Sequence, residues 1–351
     1  MRRYAIWGFA TSPEHEAWVE AVGGAFEADG FARVADVADA DFVLNMFDPE
    51  QPKAFRRQAR GTYSASFYEL DAEPEDVLKT SYPMLVRTLA NVVVLRVPGV
   101  GVWFTTMERG TYRITDEPAD VFERLAPLAK SKLVIDNEFT PDLEPELWDG
   151  DEITADIGAA GKRMQELDLL PAPFPVHEYL NERDLRHVMR LYQVGGLSYG
   201  NLSARKDETR FWMSASGVDK SQLEVAGRDI LLVTGYDEPN AKMLISVPPG
   251  IEPRRVSVDA IEHWMIYQAH PDVGAILHVH AWIEGIAATD INYPCGTQEL
   301  AESVAELIDR EPDASRAVIG LRNHGITATG ETPTEILDRI ESSILRQVPM
   351  T

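Results

Sequence analysis

The sequence predicts an α/β protein of two domains, and three observations carry that prediction. Strand-like and helix-like segments alternate through the N-terminal half, the pattern of a sheet covered by helices. A stretch rich in proline and acids, Thr140-Pro-Asp-Leu-Glu-Pro-Glu-Leu-Trp-Asp-Gly-Asp151, interrupts that alternation. Beyond it, the apolar run Gly274-Ala-Ile-Leu-His-Val-His-Ala281 reads as a buried strand bearing two histidines. At 351 residues, two domains of ordinary size are the better expectation. We expect a Rossmann-like α/β domain over residues 1–150, a helical, proline-rich connector over 151–181, and a metal-binding domain over 182–351.

Taken in order, Tyr4 to Ala10 is a short apolar strand, and Thr11-Ser12-Pro13-Glu14 starts a helix with proline just inside the cap. Ala17 to Asp29 continues it to Gly30. Asp41 to Met46, Ala65 to Leu70 and Asn91 to Arg96 read as strands, with a helix from Glu75 to Leu89. Val102 to Thr106 and Tyr112 to Thr115 form a hairpin turned by Glu108-Arg-Gly110. A helix from Ala119 to Ala129 and a strand at Lys132 to Ile135 follow. Helices are then expected at Ile153 to Leu167, Glu182 to Val194 (ended by Gly195-Gly196), Ser257 to Trp264 and Pro333 to Gln347. The loop Gly8 to Ser12 lacks a Gly-x-Gly-x-x-Gly pattern, so it reads as structural rather than as a dinucleotide site.

Composition excludes several classes. A net charge of −24 argues against nucleic acid or anionic membrane as a partner, since both require a positive surface. No apolar run is long enough to span a bilayer, and the N-terminus lacks a signal-length apolar segment. A cytoplasmic location is the expectation. The single Cys295 rules out an internal disulfide framework and Cys-rich zinc sites.

His278 and His280 lie two apart on a strand and therefore on one face. His324, in Arg322-Asn-His-Gly325, precedes a glycine suited to a tight turn and supplies a third nitrogen. Three histidines with an open fourth position describe a catalytic divalent-metal site. The alternative is a set of buried, hydrogen-bonded histidines. Two loops, Leu197-Ser-Tyr-Gly-Asn-Leu-Ser-Ala-Arg205 and Phe211-Trp-Met-Ser-Ala-Ser-Gly217, offer small and polar residues. They can donate to an oxyanion or simply make tight turns.

The order Gly-Asn-x-Ser-x-Arg, Ser-x-Ser-Gly, Ser257 before a helix, His-x-His and Asn-His-Gly resembles the class II aldolase/adducin family, over residues 182–351. That family includes fuculose-phosphate and rhamnulose-phosphate aldolases, ribulose-phosphate 4-epimerase and methylthioribulose-phosphate dehydratase. The resemblance implies an α/β/α domain with a central, mainly antiparallel sheet, and a homotetramer with sites at subunit interfaces. It makes His278, His280 and His324 the metal ligands, for zinc first, with manganese, cobalt and iron as alternatives. Gly200, Asn201, Ser216, Gly217 and Ser257 match substrate- or phosphate-binding positions. Asp259 matches the acid/base or an additional metal ligand, against the alternative of a helix cap, and Asp290 and Tyr293 are the candidates for the family's proton carrier, against the alternative that they only shape the loop. Lys220 is a candidate anion contact but is expected to be a solvated surface lysine, and His263 is expected to pack structurally.

Three features depart from the family pattern. Val258 replaces a second phosphate-side serine, residues 281–295 form a shorter loop, and the C-terminal tail is short. The activity implied is a metal-dependent lyase that stabilises an enediolate of a small hydroxy-carbonyl substrate for retro-aldol cleavage. Epimerase, dehydratase and decarboxylase outcomes draw on the same chemistry, and a non-catalytic, adducin-like scaffold is the alternative from another class.

Overall fold

The computed structural model describes residues 2–55, 63–106, 110–172, 174–191 and 198–351. Its strands are β1 (Arg3–Gly8), β2 (Ala32–Arg33), β3 (Phe42–Met46), β4 (Tyr63–Glu69), β5 (Val92–Val97), β6 (Gly101–Thr106), β7 (Gly110–Ile114), β8 (Asp136–Thr140), β9 (Asn201–Arg205), β10 (Phe211–Ser214), β11 (Ile230–Asp237), β12 (Lys242–Ser246), β13 (Ala275–Val279), β14 (Val318–Leu321) and β15 (Gly325–Gly330). Its helices are α1 (Pro13–Ala28), α2 (Val77–Thr88), α3 (Pro118–Lys130), α4 (Glu152–Glu166), α5 (Val176–Tyr179), α6 (Glu182–Leu191), α7 (Ala260–Ala269), α8 (Gln298–Ile308) and α9 (Pro333–Ile340). No helix among the described residues is long and apolar enough to cross a membrane.

Two compact units emerge: residues 1–130 with 174–188 and 350–351, and residues 131–173 with 189–349. The first carries a seven-stranded sheet in the order β2-β1-β3-β4-β5-β6-β7. The first five strands are parallel, and β6 and β7 extend them as an antiparallel hairpin. The 2-1-3-4-5 order is that of a doubly wound fold. Phe26 of α1 packs its ring on Tyr4 and Phe42, centroids 5.3 and 5.4 Å away, so the buried stripe of α1 meets the apolar strands directly. The loop after β1 is used structurally. Ser12 caps α1 by accepting from the His15 N–H, and its hydroxyl donates to Glu69.

The second unit holds an eight-stranded sheet, β14-β15-β13-β9-β10-β11-β12-β8. Every pairing is antiparallel except β12 with β8, so the expected central, mainly antiparallel sheet is present. Its core gathers Trp212, Leu231, Leu232, Ile276, Leu277 and Ile326, all fully buried.

The division differs from the expected one at both ends of the connector. Residues 131–150 belong with the second unit because β8 zips onto β12, from Lys242↔Asp136 to Ser246↔Thr140. The strand expected at Lys132 to Ile135 is a pairing stretch instead, bridged at Leu133↔Thr297, and the true strand starts at Asp136. Residues 174–188 join the first unit because Phe174 packs edge-on against Tyr82 and Asp184 takes a guanidinium N–H of Arg87 at 2.7 Å. The expected helix end at Gly195-Gly196, and Glu108-Arg109 of the hairpin turn, lie outside the described residues.

Two glycines of α4 set how closely it approaches the site. A Cβ at Gly161 would overlap the Lys220 carbonyl, and one at Gly158 would sit 3.0 Å from the Leu223 carbonyl. Gly24 on the exposed side of α1 has nothing within 4 Å of where a Cβ would stand. Gly161→Ala should therefore cost about 1–3 kcal/mol through overpacking, while Gly24→Ala should gain about 0.5–1 kcal/mol from helix propensity. Urea denaturation of the two variants checks this; similar effects at both positions would contradict the packing argument.

Candidate functional site

Strand register builds the site. β13 lies between β9 and β15, with His278 opposite Asn201 on one side and Thr327 on the other. His280 follows two residues on, so its side chain returns to the same face. His324 occupies the three-residue connection from β14 to β15 and donates its backbone N–H to Leu321. Here the structure differs from the expected turn. Asn323, at φ +55°, takes the left-handed position, which asparagine tolerates. Gly325 is required for another reason, because a Cβ there would overlap the Val279 carbonyl.

The three imidazoles converge. Ring centroids are 5.2 Å apart for His278–His280, 4.7 Å for His278–His324 and 5.0 Å for His280–His324. One nitrogen from each lies within 4.8 Å of the others, and all three residues are buried. His278 Nδ1 sits 3.0 Å from the Ile326 carbonyl oxygen. A carbonyl only accepts, so Nδ1 carries the proton and Nε2 keeps its lone pair. The donor set therefore fits a divalent cation.

Asp259 stands at the start of α7 without capping it: its side chain accepts no helix N–H. Its Oδ2 instead accepts from Asn201 Nδ2 at 2.7 Å, and its buried Oδ1 has no hydrogen-bond partner among the described residues. Leaving a buried carboxylate oxygen unmatched is costly, which separates Asp259 from an ordinary cap. One turn on, Glu262 is 2 % exposed and accepts from the Thr327 hydroxyl at 2.6 Å. Burial, aided by the nearby Asp259 charge, pushes its carboxyl up to about 8. His263 packs structurally, with Nδ1 2.7 Å from the Ser203 hydroxyl, and burial pushes it down to about 3.

Lys220 corrects an expectation. It is 3 % exposed rather than a solvated surface lysine. Its Nζ donates to the Ser198 carbonyl at 2.9 Å, and its backbone N–H donates to the Ser198 hydroxyl. Burial lowers its ammonium to about 8, against the raising influence of Asp259 and Asp219.

The loops expected to grip an anion come together through β10. Ser257 N–H donates to Ser214, Ser216 N–H donates to the Arg255 carbonyl, and Ala215 bridges Val256. The backbone donors of Ser216 and Ser257 are thus spent on this pairing, leaving their hydroxyls to offer. Gly200, at φ +74°, is required because a Cβ would stand 2.6 Å from the His278 carbonyl, so its part is close packing under the site.

Asp290 and Tyr293 are not brought to the triad by any described contact. Asp290 is exposed, and its backbone carbonyl accepts from Arg322. Tyr293 is half-buried, its phenol raised by burial and by Glu299, Glu302 and Glu306. Glu262, the burial of Lys220 and the place of Cys295 beside His324 went unread in the sequence. For Glu262 a signal existed: it follows Asp259 at the i, i+3 spacing of one helix face.

Known proteins are similar to part of this chain. The family described as Class II Aldolase and Adducin N-terminal domain matches residues 185–290 and 281–343. A methylthioribulose-1-phosphate dehydratase of Leptospira biflexa is 28% identical over 38% of this chain and 63% of its own length. That of Xanthomonas campestris is 28% identical over 33% of this chain and 51% of its own. This chain thus spans less than two thirds of those relatives. The solved L-fuculose 1-phosphate aldolase aligns at 18% identity with a TM-score of 0.37, covering 55% of this chain and 84% of that one. Residues 185–343 of this chain match the class II aldolase/adducin family.

Proposed function

We propose that the C-terminal unit is a metal-dependent lyase acting on a small hydroxy-carbonyl compound with an anionic end. His278, His280 and His324 hold the cation, zinc ahead of manganese, cobalt or iron. The observation that carries this reading is the convergence of three buried imidazole nitrogens within 4.8 Å of one another. A divalent cation there polarises a carbonyl and its neighbouring hydroxyl.

The side chains around it supply the rest. Asn201 fixes Asp259 through Oδ2 and leaves Oδ1 turned to no protein donor, which suits a proton acceptor. Glu262 stays protonated at neutral pH, so no second negative charge competes beside Asp259. Buried Lys220 sets a positive charge near Asp259. The hydroxyls of Ser216 and Ser257, with Gly217, receive the anionic end; Val258 removes one family donor there.

One proton acceptor serves two outcomes. In aldol cleavage it takes a hydroxyl proton as a carbon–carbon bond breaks; in dehydration it takes the proton beside the carbonyl as a hydroxyl leaves. The sequence puts cleavage first, whereas the names of the Leptospira and Xanthomonas relatives favour dehydration. A product with the intact carbon chain less one water marks dehydration, and two carbonyl-containing fragments mark cleavage.

Three outcomes follow. Purified protein should hold about one equivalent of divalent metal, and His280→Ala should weaken binding by more than about 100-fold, beyond the cost of losing an outer hydrogen-bond partner. Plasma mass spectrometry after dialysis reads this, and a protein that never takes up metal favours the scaffold reading. Asp259→Asn should lower kcat by about 10²–10⁴-fold with metal content unchanged; undiminished turnover removes Asp259 as the base. For Glu262, the unfolded chain ionises near 4.5 while the folded carboxyl holds its proton to about 8. Stability from this group is full below the lower value and is lost as pH rises through that window. The melting temperature of chelator-treated Glu262→Gln should accordingly fall less between pH 5 and pH 8 than that of the unsubstituted protein.

A further inference from the structure

We propose that Lys220 is the proton donor to the hydroxyl that leaves the substrate, which makes elimination of water the reaction of this site. The proposal rests on the reading above of a metal site with Asp259 as proton acceptor. A single short stretch of chain ties the ammonium to that site. Ser198 accepts from Lys220 Nζ through its carbonyl at 2.9 Å. Tyr199 lays its ring 5.3 Å from that of His280. Gly200 packs against the His278 carbonyl, and Asn201 holds Asp259 Oδ2 at 2.7 Å. Lys220, the imidazoles and the proton acceptor are thus reached from consecutive residues of one strand and its approach.

Lys220 is buried with most of its donor capacity unspent. An ammonium offers several N–H groups, and the Ser198 carbonyl is its one hydrogen-bond acceptor among the described residues. Asp259 Oδ1 is likewise buried without a partner among them, Oδ2 being taken by Asn201. The two groups are close enough for Asp259 to raise the proton affinity of the ammonium, yet no hydrogen bond joins them. Spare donors and a spare acceptor enclosed together cost stability unless a further group matches both. A substrate with a hydroxyl on one carbon and an acidic C–H on the carbon beside it does so: the hydroxyl oxygen accepts from Nζ while the hydrogen meets Oδ1. Burial lowers Lys220 to about 8, so it carries its proton at neutral pH and releases it more readily than an exposed lysine. A lysine that merely pinned the loop would not need this charge, since its backbone N–H already holds the Ser198 hydroxyl at 3.2 Å.

The step balances without an outside reactant. Asp259 Oδ1 takes the proton from the carbon beside the carbonyl, and the electron pair of that C–H bond becomes a carbon–carbon double bond. The hydroxyl on the next carbon leaves with its bonding pair, takes a proton from Lys220 Nζ and departs as water. Passage of one proton from Asp259 to Lys220 then restores both groups. Elimination needs this acid and this base in one turnover, whereas aldol cleavage begins with the base alone.

The test incubates the metal-loaded full chain with ribulose 1-phosphate in deuterium oxide and follows it by proton NMR. This ketose phosphate can undergo either outcome. The unsubstituted protein should exchange the hydrogen beside the carbonyl and lose water. In Lys220→Met, elimination should fall by about 10²–10⁴-fold in kcat and exchange far less, with metal content unchanged. Its melting temperature should not fall, because an apolar chain replaces a buried, poorly matched charge. Lys220→Arg, which keeps the charge but holds its proton too tightly, should not restore elimination. Exchange and elimination falling together, a marked drop in melting temperature, or rescue by arginine overturns the proposal in favour of a structural or purely electrostatic lysine. Should Lys220→Met fail to fold, Lys220→Gln gives the same comparison. Cleavage of the unsubstituted protein's substrate into two fragments without loss of water overturns the proposal and leaves the metal-dependent lyase standing. Neither exchange nor product from metal-loaded protein overturns both.

Discussion

Everything at the site hangs on the register of β13 between β9 and β15. Because side chains alternate along a strand, a slip of one residue would turn both histidines to the opposite face. The register is held from both sides, with His278 opposite Asn201 and Thr327 at once. Those two neighbours are themselves committed, Asn201 to Asp259 and Thr327 to Glu262. The pairing that places the imidazoles thus also places both carboxyl groups, and α7 is tied to the sheet through them. Arg205, at the end of β9, completes the attachment by donating to the Tyr267 and His270 carbonyls at the C-terminal end of α7, where a cation suits the helix dipole.

Close packing under the site demands residues without side chains, and this explains glycines that local turn chemistry does not. Gly200 lies against the His278 carbonyl, Gly325 against that of Val279, and Gly161 against that of Lys220. In each case backbone meets backbone where a Cβ would stand. The polar groups so enclosed must find partners inside the protein, and most do. Asp259 Oδ1 and Asn201 Oδ1 are buried oxygens without one among the described residues, and they lie where the proposed function needs acceptors.

Local pattern carried much of this architecture and none of its long-range detail. The strands at β1, β3, β4 and β5 and the helices α1, α2, α3 and α4 were legible, since apolar periodicity and capping residues act within a few positions. Residues 132–140 were misread because the true strand, Asp136-Asn-Glu-Phe-Thr140, is mostly polar and exists by pairing with β12. The histidine pair was legible because strand alternation is a local rule. Lys220 was not, because its burial depends on α4 arriving through Gly158 and Gly161. The contact of Cys295 with His324 is illegible for the same kind of reason: the two are 29 residues apart in sequence, and no spacing rule links them.

On the proposed reading, the electrostatics of the site also bear on how so acidic a chain would receive an anion. The net charge of −24 is a surface property, screened over about 10 Å at ordinary ionic strength. Inside, the balance is different. Glu262 is held neutral by burial, His263 is held neutral by burial, and Lys220 keeps a positive charge beside Asp259 below about pH 8. With these three groups contributing no negative charge, a bound dication would set the local sign. Had Glu262 ionised as well, two carboxylates would offset that dication and repel an anionic substrate. The burial that raises Glu262 therefore does more than cost stability: on the proposed reading it would spare an anionic substrate a second negative charge.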